Sequence, residues 1–267
     1  MLEGLIKTFL RQLAPHTFLS LMSWRSNRQA QRVMDQHGVP AITAAFVNRN
    51  GTRVVGGPFA GMAYVTRSAG SSFLPKLVGS YERELHPALE RILKVSYDSV
   101  IDVGCAEGYY AVGLALHLPG SPRVYAFDLD PSARRMCRDL SEKNHVPEQV
   151  TIGGFCDAAR LQGLIGTRTL VVSDCEGFEI ELLDAGRAPA LRTAEIVVEL
   201  HEIQKPGTTA TLLKRFEATH HVHLVDTEDR KSTDYPVLEF LSETERAVAL
   251  SEFRNGPMQW AILIPKN

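Results

Sequence analysis

The stretch that decides the fold is Val100-Ile-Asp-Val-Gly-Cys-Ala-Glu-Gly108. It begins with apolar, mostly β-branched residues, a pattern typical of a strand that is buried on both faces. A glycine-bearing turn follows, and residues 109–117 continue as an apolar helix. Such a turn lets the backbone approach a ligand closely, and the helix N-terminus presents unpaired N–H groups. The stretch therefore predicts a nucleotide cradle, with an ordinary strand–helix turn as the alternative.

The residues of this turn indicate which kind of nucleotide it would hold. A dinucleotide-binding turn needs glycine at its first, third and sixth positions, which are Gly104, Ala106 and Tyr109 here. The Walker phosphate-binding pattern is also absent. Asp102 and Glu107 place carboxylates at the turn, and carboxylates repel phosphate. They favour a cationic ligand without phosphate, such as S-adenosylmethionine, whose ammonium and sulfonium groups are positive.

Length and composition restrict the class of protein. A chain of 267 residues can form one large domain, or one domain with a cap. Its net charge of -2 provides no general attraction to nucleic acid or to an anionic membrane. Four cysteines without CxxC spacing indicate reduced thiols. No apolar run approaches the length of a membrane span, and charged residues interrupt the first apolar segment, unlike in a signal peptide. We expect a cytoplasmic protein without a nucleic-acid partner.

The first 95 residues are predicted to form a helical and β-hairpin extension. Residues 1–36 have apolar side chains at helical spacing, interrupted near Pro15, and this stripe would pack on the main domain or on a second copy in a homodimer. Contact with a membrane surface is the weaker alternative. Residues 42–65 alternate like short strands, and Asn50-Gly51 is a signal for a type I′ hairpin. We expect this extension to provide lid, acceptor or dimer contacts.

Residues 96–267 are predicted to form the cofactor-binding domain. Strand-like and helix-like segments alternate from Val100 onward, which predicts a mostly parallel sheet covered by helices, with a ligand at the carboxyl ends of its strands. Ser242 and Glu245 form a capping-box pattern that predicts a late helix. The further strands predicted after the first cover residues 124–127, 150–152, 169–172, 194–200, 221–225 and 260–264.

Two acids at the ends of predicted strands are candidate cofactor ligands. Asp128 follows the second strand, at close to the spacing of about 20 residues from Gly104 at which an acid meets a ribose in such folds. Its two oxygens match vicinal hydroxyls, so we assign Asp128 and the adjacent Leu129 to cofactor binding. Asp157 follows the third strand. It would accept a hydrogen bond from an adenine amino group, or serve only as a turn acid.

Three further residues define a candidate catalytic centre. Asp174 follows the fourth predicted strand, and Glu199 and His201 project to one face of the fifth because they are two residues apart. Asp174 is the candidate general base for an alcohol acceptor, and His201 is its rival. Alternatively, Asp174 and Glu199, with Glu176 or His201, would hold a divalent ion. Metal use is not the favoured interpretation.

Taken together, these segments resemble class I S-adenosylmethionine-dependent methyltransferases and, within them, the FkbM-like family. The resemblance extends from about Gly57 to the C-terminus. Four motifs carry it: Asp102-Val-Gly-Cys-Ala-Glu-Gly-Tyr-Tyr110, Phe127-Asp-Leu-Asp-Pro131, Ser173-Asp-Cys-Glu-Gly-Phe-Glu179 and Val198-Glu-Leu-His201. The first two are typical of the superfamily, and the last two point to the family.

The resemblance implies a Rossmann-like, seven-stranded α/β sheet whose last strand is antiparallel. It also implies methyl transfer to a hydroxyl, often of a sugar or natural product. Gly104 and Ala106 would contact the methionine part of the cofactor, Asp128 the ribose and Asp157 the adenine.

Tyr81 and Glu82 match a family segment that closes over the cofactor. The chain departs from the family pattern at Cys175, where valine is usual, and at Cys105-Ala106, where alanine–asparagine is typical. Neither departure removes a charged contact.

Other functions stay open at this point. The chain could bind the cofactor without catalysis, as a scaffold or regulator, or it could methylate RNA or protein. The near-neutral charge and the lack of a basic stripe argue against RNA. The Asn/Asp-Pro-Pro-Tyr motif of amino-group methyltransferases is absent. We therefore expect an O-methyltransferase acting on a small-molecule hydroxyl.

Overall fold

The computed structural model describes residues 32–254, 256 and 258–266. The predictions for the apolar stripe of residues 1–31 lie outside the described residues. In the part of the chain that is described, every helix is too short or too polar to cross a membrane.

The secondary structure alternates between strands and helices after residue 98. The strands are β1 (Ser99–Val103), β2 (Arg123–Phe127), β3 (Val150–Gly153), β4 (Thr169–Ser173), β5 (Glu195–Glu199), β6 (His220–Asp226) and β7 (Gln259–Pro265). The helices are α1 (Val39–Asn50), α2 (Phe73–Val78), α3 (His86–Ile92), α4 (Tyr109–His117), α5 (Pro131–Lys143), α6 (Ala158–Leu164), α7 (Glu179–Leu182), α8 (Thr208–Phe216) and α9 (Glu243–Leu250). Short 3₁₀ turns cover Arg83–Leu85, Pro189–Thr193, Ser232–Asp234 and Pro236–Leu238.

All seven strands form one sheet in the order β3-β2-β1-β4-β5-β7-β6. Strands β1 to β5 are parallel, whereas β7 runs antiparallel to both β5 and β6. This is the Rossmann-like methyltransferase sheet that was predicted, with its last strand antiparallel. The strand order reverses at β1, and open α/β sheets bind ligands at the carboxyl ends of strands at such a point.

Burial confirms the prediction that the central strands are covered on both faces. Every residue of β1, β4 and β5 is buried, and two apolar cores flank the sheet. Asp130 and Ser242 cap α5 and α9 as predicted: the Asp130 carboxylate accepts from the backbone of Ser132, and Ser242 forms a complete capping box with Glu245. The sequence pattern therefore located most strands and helices after residue 98 correctly.

The hairpin turn predicted at Asn50-Gly51 is wrong, although Arg53 and Ala63, within the predicted range, form an isolated antiparallel bridge. Residues 39–50 form α1 instead, and Ile42 and Phe46, four residues apart, are its buried side chains. Spacing of four residues places both on one face of a helix. Gly51 has a φ of 74° and ends α1, so the Asn50-Gly51 signal marks a helix C-terminus, where glycine is favoured because it adopts a positive φ without strain.

The N-terminal region packs closely against the sheet. The Phe59 ring lies 5.1 Å from that of Tyr109 in α4. Asn144 donates to the carbonyl of Ala63 and accepts from its N–H at 2.7 and 2.9 Å, and Lys143 donates to the Tyr64 carbonyl. The predicted division at residue 95 stays a prediction, and the two parts share one core.

Candidate functional site

The turns after β1 and β4 are in direct contact at the carboxyl edge of the sheet. The N–H of Asp174 donates to the carbonyl of Val103 at 2.9 Å. Gly104 has a φ of 89°, and a Cβ there would collide with the carbonyl oxygen of Asp174. Glycine is therefore required for the close approach of these two turns, in addition to the approach of a ligand that the sequence indicated. A side chain at residue 104 would therefore displace the backbone of Asp174.

Asp102 is a buried acid with a free acceptor. Its side chain is 1% exposed, and its Oδ2 has no hydrogen-bond partner among the described residues. Burial raises the pKa of Asp102 to about 7, against the hydrogen bond from the backbone of Ala111, which lowers it. Because buried polar atoms in folded proteins are nearly always paired, this oxygen points to a ligand in the glycine turn.

Asp128 lies at the end of β2, where the sequence predicted it. Its Oδ2 accepts from the Ala106 N–H at 2.9 Å and its Oδ1 accepts from the Asp130 N–H at 2.7 Å. Burial raises the pKa of Asp128, and these backbone hydrogen bonds oppose the rise. Each oxygen retains a second lone pair, so the carboxylate is oriented and still able to accept. Leu129 is half-buried beside it.

Asp157 is less closely integrated into the cradle. It is exposed and is the N-cap of α6, where its Oδ1 accepts from the Arg160 N–H at 2.8 Å. This contact matches the turn-acid alternative, and the adenine contact stays a prediction. The Phe155 and Phe178 rings lie 5.6 Å apart between the turns after β3 and β4.

Glu107 is occupied by protein donors. Its Oε1 accepts from Lys76 Nζ and from the Tyr64 hydroxyl, each at 2.6 Å, and from Ser68. Its Oε2 accepts from the Ala69 N–H at 2.9 Å. Burial would raise the pKa of Glu107, but the Lys76 charge and these hydrogen bonds lower it. Its charge is thus neutralised within the fold, and its predicted cofactor contact stays a prediction.

Tyr81 and Glu82 lie close to the cradle, packed against the start of α4. The Tyr81 ring is 5.3 Å from that of Tyr109. The Glu82 carboxylate accepts from the Tyr110 hydroxyl and from Arg254 Nη2 at 2.5 Å. Burial raises the pKa of Glu82 to about 7, although the Arg254 charge lowers it. The segment predicted to close over the cofactor is held by a cation from the distant residue 254.

His201 is the centre of the second half of the site. Its Nδ1 lies 2.7 Å from Glu179 Oε1. Its Nε2 faces Asp174 Oδ1 at 3.4 Å, Glu199 Oε2 at 3.5 Å and Glu176 Oε2 at 3.8 Å. The structure thus brings together all three predicted catalytic residues. We call His201 and these four acids the acid–histidine centre.

The charges of this centre shift its ionisation. Burial raises the pKa of Asp174 well above its usual range, and the Glu199 and Glu176 charges raise it further. Burial would lower the pKa of His201, but the hydrogen bond and charges of the surrounding acids raise it to about 9. The imidazole is therefore protonated at neutral pH while only these groups surround it.

Two members of the site were not identified from the sequence. Glu179 had a place in a motif but no assigned role, and it fixes the orientation of His201. Arg254 bonds Glu199 Oε1 and Glu82, each at 2.5 Å. Glu179 follows Asp174 closely, so a pattern search around the motif would find it. Arg254 lies far from its partners in the chain and carries no sequence signal.

Comparisons with known proteins agree with this architecture. No family model matches the chain. A ribosomal protein L11 methyltransferase of Bacillus pumilus (strain SAFR-032) is 37% identical over 87 residues, which are 33% of this chain and 26% of that protein. The chain thus matches about a quarter of the length of this curated relative. The match and the strand order agree with the class I S-adenosylmethionine-dependent methyltransferases that the sequence resembles, and membership of the FkbM-like family stays a prediction.

Solved methyltransferase structures align with part of this chain. A precorrin-6y C5,15-methyltransferase from Geobacter metallireducens GS-15 is 16% identical with a TM-score of 0.46, over 66% of this chain and 85% of that chain. An rRNA methylase from Streptococcus thermophilus is 13% identical with a TM-score of 0.47, over 70% of this chain and 99% of that chain. These likenesses do not indicate an acceptor.

Proposed function

We propose that this chain is an S-adenosylmethionine-dependent methyltransferase that transfers a methyl group to a hydroxyl of a small molecule such as a sugar or natural product. The observation that carries the proposal is the juxtaposition at one sheet edge of two sets of acids. The Asp102 and Asp128 carboxylates retain acceptor capacity beside the glycine turn. The turn after β4, which contacts that glycine turn, carries Asp174.

The cradle residues fit the cofactor chemically. Asp102 has a buried, unpaired oxygen that an ammonium group would satisfy, since hydrogen bonds with ionised partners are the stronger ones. Asp128 is held by two backbone N–H groups and offers its remaining lone pairs to a pair of ribose hydroxyls. When bound, the cofactor supplies a methyl group on sulfur, and the C–S electron pair returns to sulfur as the acceptor oxygen forms the new C–O bond.

The acid–histidine centre supports an oxygen acceptor. An alcohol must lose its proton as it attacks, so the site needs a base near the acceptor. The Asp174 side chain is 30% exposed, while that of His201 is 2% exposed. Asp174 is thus the group open to an incoming hydroxyl, and we assign it as the proton acceptor. His201, 3.4 Å away, holds its position by charge, and the Glu199 charge raises its pKa and so its basicity. The enzyme's remaining task is to align the two substrates.

The curated relative supports the proposed cofactor more strongly than it supports any choice of methyl acceptor. That protein is described as a ribosomal protein L11 methyltransferase, and the match covers a third of this chain. A match of this length covers one part of the fold, whereas an acceptor pocket is formed by residues from several parts. We therefore retain a small-molecule acceptor, a cytoplasmic location and the absence of a nucleic-acid partner as parts of the proposal.

The first test is calorimetric titration with S-adenosylhomocysteine, which has the ammonium and ribose groups of the cofactor. We expect micromolar binding to the wild type and none to Asp128→Ala. Asp139→Ala is the matched control, because Asp139 is an exposed acid on α5 outside the cradle. No binding to the folded wild type, or equal loss in both variants, would contradict the proposal.

A second test identifies the acceptor class. Sugars, phenols and polyketide alcohols are screened against amines and ribosomal protein, with labelled cofactor and analysis of the methylated product by mass spectrometry. A methyl ether product supports the proposal. Methylation of protein only would replace the acceptor, and cofactor binding without turnover on any acceptor would favour a scaffold or regulator.

A further inference from the structure

We infer that Asp174, Glu176 and His201 form a binding site for a divalent metal cation. Each residue offers one ligand atom, and these atoms lie within 4.8 Å of one another. Asp174 and Glu176 follow β4, and His201 follows β5, its neighbour in the sheet. The carboxyl ends of parallel strands meet at one edge, so three ligands from two turns converge without any rearrangement of the sheet.

The environment of His201 is that of a metal ligand. Its side chain is 2% exposed, and Glu179 Oε1, at 2.7 Å from Nδ1, fixes the ring. The other nitrogen, Nε2, faces carboxylate oxygens of which none is closer than 3.4 Å. That distance is longer than an ordinary N–H···O hydrogen bond of about 2.7–3.2 Å. At metal sites the ligating histidine likewise donates its other ring N–H to a carboxylate.

The acids of the centre also outnumber its cations. Four carboxylates surround His201, and the positive groups beside them are the imidazole itself and Arg254, which bonds Glu199 and is shared with Glu82 and Glu252. A divalent ion would displace the imidazole proton and so add one net positive charge. Lys205, the nearby lysine, is engaged with Glu181 on α7. Oxygen ligands with one imidazole suit Mn²⁺ and Mg²⁺ better than softer ions. The Glu176 side chain is 65% exposed, so the side facing solvent stays open to water or to an acceptor oxygen.

The catalytic role of such an ion rests on the proposed function. A divalent cation lowers the pKa of an oxygen that it binds, so an acceptor hydroxyl on the open side would release its proton more readily. The proton would pass to the Asp174 oxygen that does not bind the ion. The C–O bond then forms as the C–S bond breaks, with the electron pair going to sulfur. The cation would thus activate the acceptor beside the group that removes its proton.

Metal binding is measured on the whole protein without cofactor, using Mn²⁺ as the probe. Electron paramagnetic resonance of free Mn²⁺ gives the number of bound ions and the affinity. Glu176→Gln replaces the charged carboxylate by a neutral amide on a side chain that is 65% exposed, so we expect the fold to be retained. Glu179→Gln weakens the support of His201, and loss of such support costs about 10- to 100-fold in metal affinity. Glu181→Gln is the matched control, because Glu181 is an exposed acid on the same helix as Glu179.

We expect one Mn²⁺ per chain in the wild type and in Glu181→Gln, and affinity at least tenfold weaker in Glu176→Gln and Glu179→Gln. Absence of binding, or equal affinity in all four proteins, would overturn the inference. Calorimetry with S-adenosylhomocysteine on the same samples separates this result from the proposed function. If the cofactor analogue binds and Mn²⁺ does not, the metal site alone is wrong. If Mn²⁺ binds and the analogue does not, the methyltransferase proposal is wrong.

Discussion

Among the described residues, the Lys76–Glu107 cluster and the acid–histidine centre are both largely buried, and they differ in how completely their acids are paired. In the first, Glu107 accepts from Lys76, Tyr64, Ser68 and the backbone of Ala69, so both of its oxygens are satisfied. The second is the acid–histidine centre, where acids outnumber cations and the closest approach to His201 Nε2 is 3.4 Å.

This difference in pairing distinguishes acids that stabilise the fold from acids that are available to bind a ligand. Lys76 and Glu107 are both at most 3% exposed, and their pairing ties α2 to the turn after β1. The acid–histidine centre keeps like charges close together. Excess charge of this kind is a feature of functional sites. The sequence motif places Asp102 and Glu107 in one turn, but only Asp102 has an orphaned oxygen.

The largest effect is expected from Lys76→Met, which leaves Glu107 buried without its counter-charge. Breaking a buried ion pair by removing one partner costs about 3–5 kcal/mol. We expect a loss of that size in the free energy of unfolding, measured by denaturant titration. Lys205→Met, which breaks the exposed pair with Glu181, should cost about 1 kcal/mol or less. Similar losses in the two variants would show that the Lys76 pair does not hold the fold.

Gly104→Ala tests the contact that joins the cradle to the acid–histidine centre. The added Cβ collides with the Asp174 carbonyl, and the φ of 89° strains any side chain. Strain of this kind costs about 1–3 kcal/mol. We expect that loss in unfolding free energy, together with weaker binding of S-adenosylhomocysteine. Gly120→Ala is the control, since Gly120 has a φ of 81° with no atom near its added Cβ, and its analogue binding should be unchanged. Equal weakening in both would refute the contact.

The pH dependence of cofactor binding tests the unpaired acid. The pKa of Asp102 is raised to about 7, so the group is mostly protonated at pH 6 and mostly ionised at pH 8. Only the carboxylate attracts an ammonium, so affinity should rise with pH, by about tenfold from pH 6 to pH 8. Calorimetry with S-adenosylhomocysteine at these pH values measures the rise. In Asp102→Asn the affinity should rise less with pH. An unchanged rise would mean that another group causes the pH dependence.

The smallest effect is expected from Asp174→Asn, and its sign is opposite to that of Lys76→Met. Removing one of several mutually repelling acids relieves the acid–histidine centre, so the variant should be more stable at neutral pH by about 1 kcal/mol. Thermal unfolding in low salt measures the gain, and turnover with any acceptor found in the screen should fall. Destabilisation comparable to that of Lys76→Met would mean that Asp174 holds the fold as Glu107 does.

The sheet and the identity of the central acids were predictable because they depend on local patterns. Runs of apolar residues located the strands from β1 to β5, and acids directly after a parallel strand must meet at the same edge. Asp174, Glu199 and His201 were therefore predicted together, and the structure brings them together. The α1 region failed because Ile42 and Phe46 also fit a strand when apolar alternation alone is considered.

The sequence by itself determined the class of sheet, the glycine turn and the strand-end acids, since each follows from the order of residues within a short segment. Only the tertiary structure decided which acids are neutralised. Lys76 reaches Glu107 and Arg254 reaches both Glu82 and Glu199 across long stretches of chain. Pairing of charges depends on distance and burial in space, and neither is encoded in the local pattern that reveals the acids themselves.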